Sequence, residues 1–398
     1  MVAMPPWAAQ AQPFERPPSY DVGKIPGIER EAENYRVNSP ARSDGILRIY
    51  DVTTSYGDLT VQGDQMLRMR LVELAALQEL EKISGSESFG KALAEAGLSP
   101  LKYTGRFIAN PAKTVGDTLS GIGAMFGRIH ADMNNVGKTP GDPIAGLLGV
   151  TDQKRKLAVK FGVDPYTDYE PLAQKLSRLA EAAAAGGLTV SAALMVVPGA
   201  AGIVISNLST ASSLEGVRID QLASDYTAAQ IFDLNRERLV AMDADRDLIE
   251  ALLANRNYTP IDMAALVAAL DGMTGVDDRT VFLQRAVNVD TRSIAFFMRK
   301  HAELLASQHA RGLRFTRFIS FGGYPFNITR DGRIVGVMPI DALSWTESTS
   351  GALRGSAADA RRMAASDGVE LRITGTATPL AKKQLQALGW KVVENVRF

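Results

Sequence analysis

The sequence predicts a mainly α protein, with a large multi-helix domain followed by a small C-terminal α/β domain. Three observations carry that expectation. Apolar residues recur at spacings of three and four through most of positions 64–310. At Gly312 the period changes, and Leu313, Phe315, Ile319 and Phe321 stand among polar residues as in a half-buried strand. Seven of the eighteen prolines fall in the first forty-five residues, a stretch without apolar periodicity to offset its ordering entropy. The chain is therefore divided into a disordered proline-rich segment over 1–45, a mostly helical domain over 46–311 and a small α/β domain over 312–398.

Within 1–45, Ala9-x-Ala11 followed by Gln12-Pro13 resembles the recognition end of a secretory signal peptide. The expected location is periplasmic or secreted, with the cytoplasm as the alternative. Ile46–Val52 has strand composition, and Leu59–Val61 returns beside it after the turn at Tyr56-Gly57-Asp58. From Asp64, placed as a helix cap, Leu67, Leu71 and Leu74 mark a helix to about Ser84, and a second covers Ser86–Ala96. Asn110-Pro111 starts a helix with the apolar stripe Val115, Leu119, Ile122, Phe126 and Ile129. Beside it Gly116, Ser120, Gly123 and Gly127 suit close helix packing. Positions 134–151 form a loop whose Gly137-Lys138-Thr139 imitates a phosphate-binding loop. Asp132 replaces the required glycine, and Pro140 blocks the helix that should follow.

Ala182–Leu214 carries no charged residue. Its Ala, Gly and Ser content favours a buried helical hairpin bent at Pro198-Gly199, with membrane contact as the alternative reading. Helices resume at Arg218. Thr259-Pro260 caps one that runs to Gly272, and others cover Arg279–Val287 and Thr291–His309. In the last part, Asn327–Val335 forms a hairpin turning at Asp331-Gly332. A helix around Ser356–Ala365, a strand at Val369–Thr374, a helix over Pro379–Leu388 and a strand at Lys391–Val396 complete the module, both strands belonging to one sheet.

Composition limits the chemistry. Lys+Arg 44 balances Asp+Glu 44, which speaks against a nucleic-acid partner, and no cysteine is present. Thiol catalysis, disulfides and cysteine-based metal sites are excluded. His301 and His309 lie eight apart, roughly 12 Å along a helix, too far to share a metal. Asp243-x-Asp245-x-Asp247 lacks the glycine and glutamate of a calcium loop and reads as the acidic start of a helix. No G-x-S-x-G elbow or dinucleotide fingerprint occurs. No cofactor, metal or catalytic residue is assigned.

The single polar–aromatic cluster in a position to form a site is Asp341, Trp345 and Glu347, after the strand ending at Pro339. A local cap with a buried indole is the structural alternative. The function expected is that of a non-catalytic exported envelope protein, a helical scaffold or interaction module with an unknown protein partner. The alternatives are a membrane-associated protein using 182–214, and a hydrolase whose carboxylates converge only in three dimensions.

Overall fold

The computed structural model describes residues 14–84, 150–185, 213–214, 217–363 and 369–398. The helices expected at 86–96 and from Asn110, most of the 134–151 loop, His130 and nearly all of the charge-free segment lie outside the described residues. Among the described residues no helix is long and apolar enough to cross a membrane.

The mainly α expectation is overturned: the fold is mixed α/β, 50% helical and 19% strand. It contains two five-stranded sheets. The first is built from β1 (Glu31–Ala32), β2 (Tyr35–Val37), β3 (Arg42–Ser43), β4 (Arg48–Thr54) and β5 (Leu59–Gln62). β4 runs through the middle, with β2 and β3 sharing one edge and β5 on the other, all antiparallel. Three of these strands lie within the stretch expected to be disordered. They are two or three residues long, too short for a period of two to register against the prolines between them. Val22, Val37 and Ala41 are nonetheless buried there.

This sheet packs on α1 (Asp64–Ser84), whose Leu67, Leu74 and Leu77 are fully buried with Tyr50 and Val61. The same core takes in α2 (Asp152–Lys160) and α3 (Glu170–Ala185) through Leu157, Leu172 and Leu176. After a short ribbon of β6 (Ser213–Leu214) and β7 (Val217–Arg218) come α4 (Ile219–Asp225), α5 (Ala228–Ala241), α6 (Arg246–Leu253) and α7 (Pro260–Asp271). Helix α7 begins at Thr259-Pro260 as expected, and Pro260 through Leu270 are all buried. A helix apolar all round belongs at the centre of a core, and α7 packs on both α5 and α9. Asp245 caps α6 by accepting from Leu248 N at 2.9 Å, so the aspartate triplet is a helix start.

α8 (Thr280–Ala286) and α9 (Arg292–Gln308) lead into the second sheet, β8 (Phe315–Phe321), β9 (Tyr324–Thr329), β10 (Ile334–Met338), β12 (Val369–Ile373) and β14 (Trp390–Val393). Its order is β14-β12-β10-β9-β8, with the two strands that follow helices parallel to β10 and to each other. β8 is continuous, with a register shift against β9 between Phe315 and Arg317. Only Gly332 takes positive φ in the β9–β10 turn. α8 and α9 cover one face of this sheet, while α10 (Glu347–Arg362) lies by β8 and α11 (Pro379–Ala387) by β14. The short pair β11 (Ala342–Leu343) and β13 (Thr376–Ala377) completes the fold.

The buried core runs without a break from α4 through α9 into the second sheet. Helix α9 joins this core to the first, giving Phe297 to one and Phe296 to the other.

Candidate functional site at the junction of the sheets

The two sheets meet where Gly45–Leu47 runs beside Asp341–Ser344. The amides of Asp341 and Ala342 donate to the Ile46 carbonyl at 3.1 Å, and Ser344 N donates to Gly45 O at 2.9 Å. Asp341 follows β10 into this seam. Its Oδ2 accepts from Asp64 N at 2.9 Å and from Arg48 N at 3.3 Å. Asp64 is therefore the first residue of α1, and a carboxylate 277 residues away takes its amide. The Asp64 side chain does not cap its own helix. It accepts from Arg48 Nη1 at 2.7 Å and from Tyr50 Oη at 2.6 Å. Arg48 also lies over the Tyr20 ring, 4.7 Å from its centroid.

Burial pushes the Asp341 carboxyl well above the usual range, and the nearby Asp64 charge adds to the rise. Burial likewise drives the Tyr50 phenol upward, helped by Asp64. Arg48 loses by burial but is held above its ordinary value by Asp64 and Asp341. Both aspartates reach a small cleft, about 270 Å³ of empty space including its mouth, that is also lined by Gln62, Ser293, Phe296 and Lys300.

The three residues singled out from sequence separate here. Trp345 is fully buried with its indole Nε1 lacking a hydrogen-bond partner among the described residues. Arg354 sits 5.5 Å from its ring centroid. The Trp345 backbone exchanges two hydrogen bonds with Glu15, and the Glu15 carboxylate also takes the Thr378 hydroxyl. Trp345 thus closes a core, as the structural alternative held. Glu347 is exposed on the first turn of α10, which begins nine residues before the helix expected at Ser356. The structure brings Asp341 together with Asp64, Arg48 and Tyr50 instead.

Behind the cleft lies a chain of ion pairs, buried except at Asp168. Arg299 joins Asp262 and Glu303, both at 2.8 Å, and Lys300 reaches Glu303 at 2.7 Å. Arg292 joins Asp262 at 2.5 Å and Asp168 at 3.5 Å. Arg70 binds Asp168 and Glu73, both at 2.6 Å. Burial raises Asp262, yet Arg292 and Arg299 together hold it below its ordinary value. Burial lowers Lys300 despite Glu303 beside it. Four cations thus meet four carboxylates, and Asp164 is the surplus. Burial and the charge of Asp262 push Asp164 up to about 6.

The two described histidines, His301 and His309, take no part. Burial moves His301 down to about 4, with its ring edge-on to Phe282 at 5.2 Å. His309 Nδ1 accepts from Phe315 N at 3.0 Å.

Sequence reasoning missed Arg48, Tyr50 and Asp262, and assigned Asp64 only a capping role. The local signals were the Arg299/Glu303 spacing of four and the Arg70/Glu73 and Lys300/Glu303 spacings of three. The other partners are joined by tertiary contact alone. Comparison with protein-family models, with curated proteins and with solved structures finds no match to this chain.

Proposed function

We propose that the protein is a non-catalytic scaffold or interaction module of the cell envelope, working with a protein partner. The observation that supports this reading is how internal charge is used. Asp64 and Asp341, the acids that reach the cleft, are engaged by Arg48, Tyr50 and two backbone amides. The larger network ties α1, α7 and α9 to the segment around Asp168. Such groups hold elements in place. A general acid or base would have to leave these bonds to meet a substrate. Export rests on the Ala9-x-Ala11 pattern and the prolines after it.

The competing reading is a hydrolase using Asp64 and Asp341. The two are separated with the purified full chain, assayed on chromogenic esters, phosphate esters and glycosides beside Asp341→Asn. No turnover is expected from either protein. Hydrolysis by the wild type that vanishes in Asp341→Asn, at an unchanged melting midpoint, would overturn the scaffold reading.

A further inference from the structure

The buried cations among the described residues are Arg48, Lys154, Arg155, Lys175 and Arg299. Four of them have hydrogen-bond partners. Arg48 meets Asp64, Arg155 the Val150 carbonyl at 3.0 Å, Lys175 the Ser84 hydroxyl at 3.0 Å, and Arg299 both Asp262 and Glu303. Lys154 is the exception. It is 8% exposed, and its ammonium makes no hydrogen bond or close ion pair among the described residues. The carboxylates of Glu170, Asp164 and Glu181 act on it only through space. The Lys154 stem is buried while its ammonium meets the solvent of a groove, a cation held in place without a partner among the described residues.

Lys154 sits in the first turn of α2, where the Thr151 cap sets the register. It faces a groove between α2 and α3 with about 680 Å³ of empty space including its mouth. The α3 wall presents Glu170, Gln174, Ser177, Arg178 and Glu181. Glu170 and Glu181 are exposed at the rim, and Gln174 Nε2 donates to Glu170 at 2.7 Å. Arg178 is half-buried and makes no hydrogen bond among the described residues. Two cations and two carboxylates thus line the groove, with the carboxylates at its exposed rim. The groove is remote in sequence from the Asp64–Asp341 seam, and its role does not depend on whether that seam is catalytic.

We infer that the α2/α3 groove binds a small organic anion, with a carboxylate or phosphate group seated on Lys154 and Arg178 as a second cation. The anion supplies the partner that the fold withholds from Lys154. The acidic rim disfavours large polyanions and leaves nucleic acid out.

The test uses the full chain at fixed ionic strength, with inorganic phosphate, succinate and chloride as probes. Either phosphate or succinate should raise the melting midpoint saturably, beyond any chloride effect, and should shield Lys154 from acylation as read by mass spectrometry. Phosphate alone doing so identifies a phosphate group, and succinate alone a carboxylate. Lys154→Met removes a charge that has no partner among the described residues and should fold normally while binding at least about tenfold more weakly, the loss of one charged hydrogen bond. Lys154→Arg should recover part of the affinity. The inference fails if neither anion exceeds chloride, if Lys154→Met responds like the wild type, or if Lys154 stays reactive when the probe is saturating.

Discussion

At the residue scale, Asp341 holds two backbone amides with one oxygen, and its raised proton affinity decides what each substitution does. Asp341→Ala orphans the buried amides of Arg48 and Asp64, each worth about 1–3 kcal/mol when left unsatisfied. Asp341→Asn keeps an acceptor and removes the charge opposing Asp64, so it should be nearly neutral or stabilising. Urea denaturation at pH 7 distinguishes the two variants. Asp64→Asn has the opposite character, because it strands Arg48. A loss of about 3–5 kcal/mol is expected, the usual cost of breaking a buried pair.

Asp164 adds a pH signature at the same scale. Its pKa rises from 3.8 to about 6 on folding, so the folded state binds the proton more tightly than the unfolded chain. The resulting stability is complete below the ordinary carboxylate pKa and is lost as pH rises through about 6. Between those limits the wild type should lose on the order of 1–3 kcal/mol from this group. In Asp164→Asn, denaturation midpoints measured from pH 4 to pH 7 should show a flatter slope. An identical slope would mean that the surplus charge is relieved elsewhere.

Among the elements, the loop after β12 shows how closely the seam is built. A Cβ on Gly375 would lie 1.8 Å from the Asp341 carbonyl oxygen, and backbone cannot move aside as a flexible side chain can. Gly375→Ala should therefore displace the β10–β11 connection and cost about 2 kcal/mol or more, with acylation or proteolysis opening first around Asp341. Elements with strong local signals were legible in the sequence. The Thr259-Pro260 helix start, the capped α6 and the two parallel strands after helices all follow from caps, period and turn residues. The strands β1–β3 were not legible, because two residues paired with a neighbour carry no period. Nor was the early start of α10. Glu347–Gly355 mixes Ser, Thr and Gly, residues with weak helix propensity, and tertiary packing decides their state. The candidate site was half legible for the same reason. Asp341 stood out at a strand end, while its partners lie almost three hundred residues earlier and announce nothing locally.

Across the whole molecule, the continuous core bears on how the chain divides. A fragment over 312–398 would lack α8 and α9, which cover one face of its sheet. It should be molten or aggregated, with circular dichroism showing strand content but no sharp thermal transition. A cooperative fragment would place a domain boundary at the Gly312 period change after all. Deleting residues 1–45 removes β1–β3 and the buried Val22, Val37 and Ala41. It should lower the melting midpoint markedly, whereas deleting 1–13 alone keeps all of these contacts.

The seam between Gly45–Leu47 and Asp341–Ser344 also orders events in time. During synthesis the first sheet emerges with its joining segment unpaired, and the partner is made almost three hundred residues later. At about 5–20 residues per second, that interval is on the order of tens of seconds. Glu15 waits longer still, since Thr378 is made 363 residues after it. Truncated or stalled translation products should expose the unpaired segment and depend on a chaperone in a way the finished chain does not.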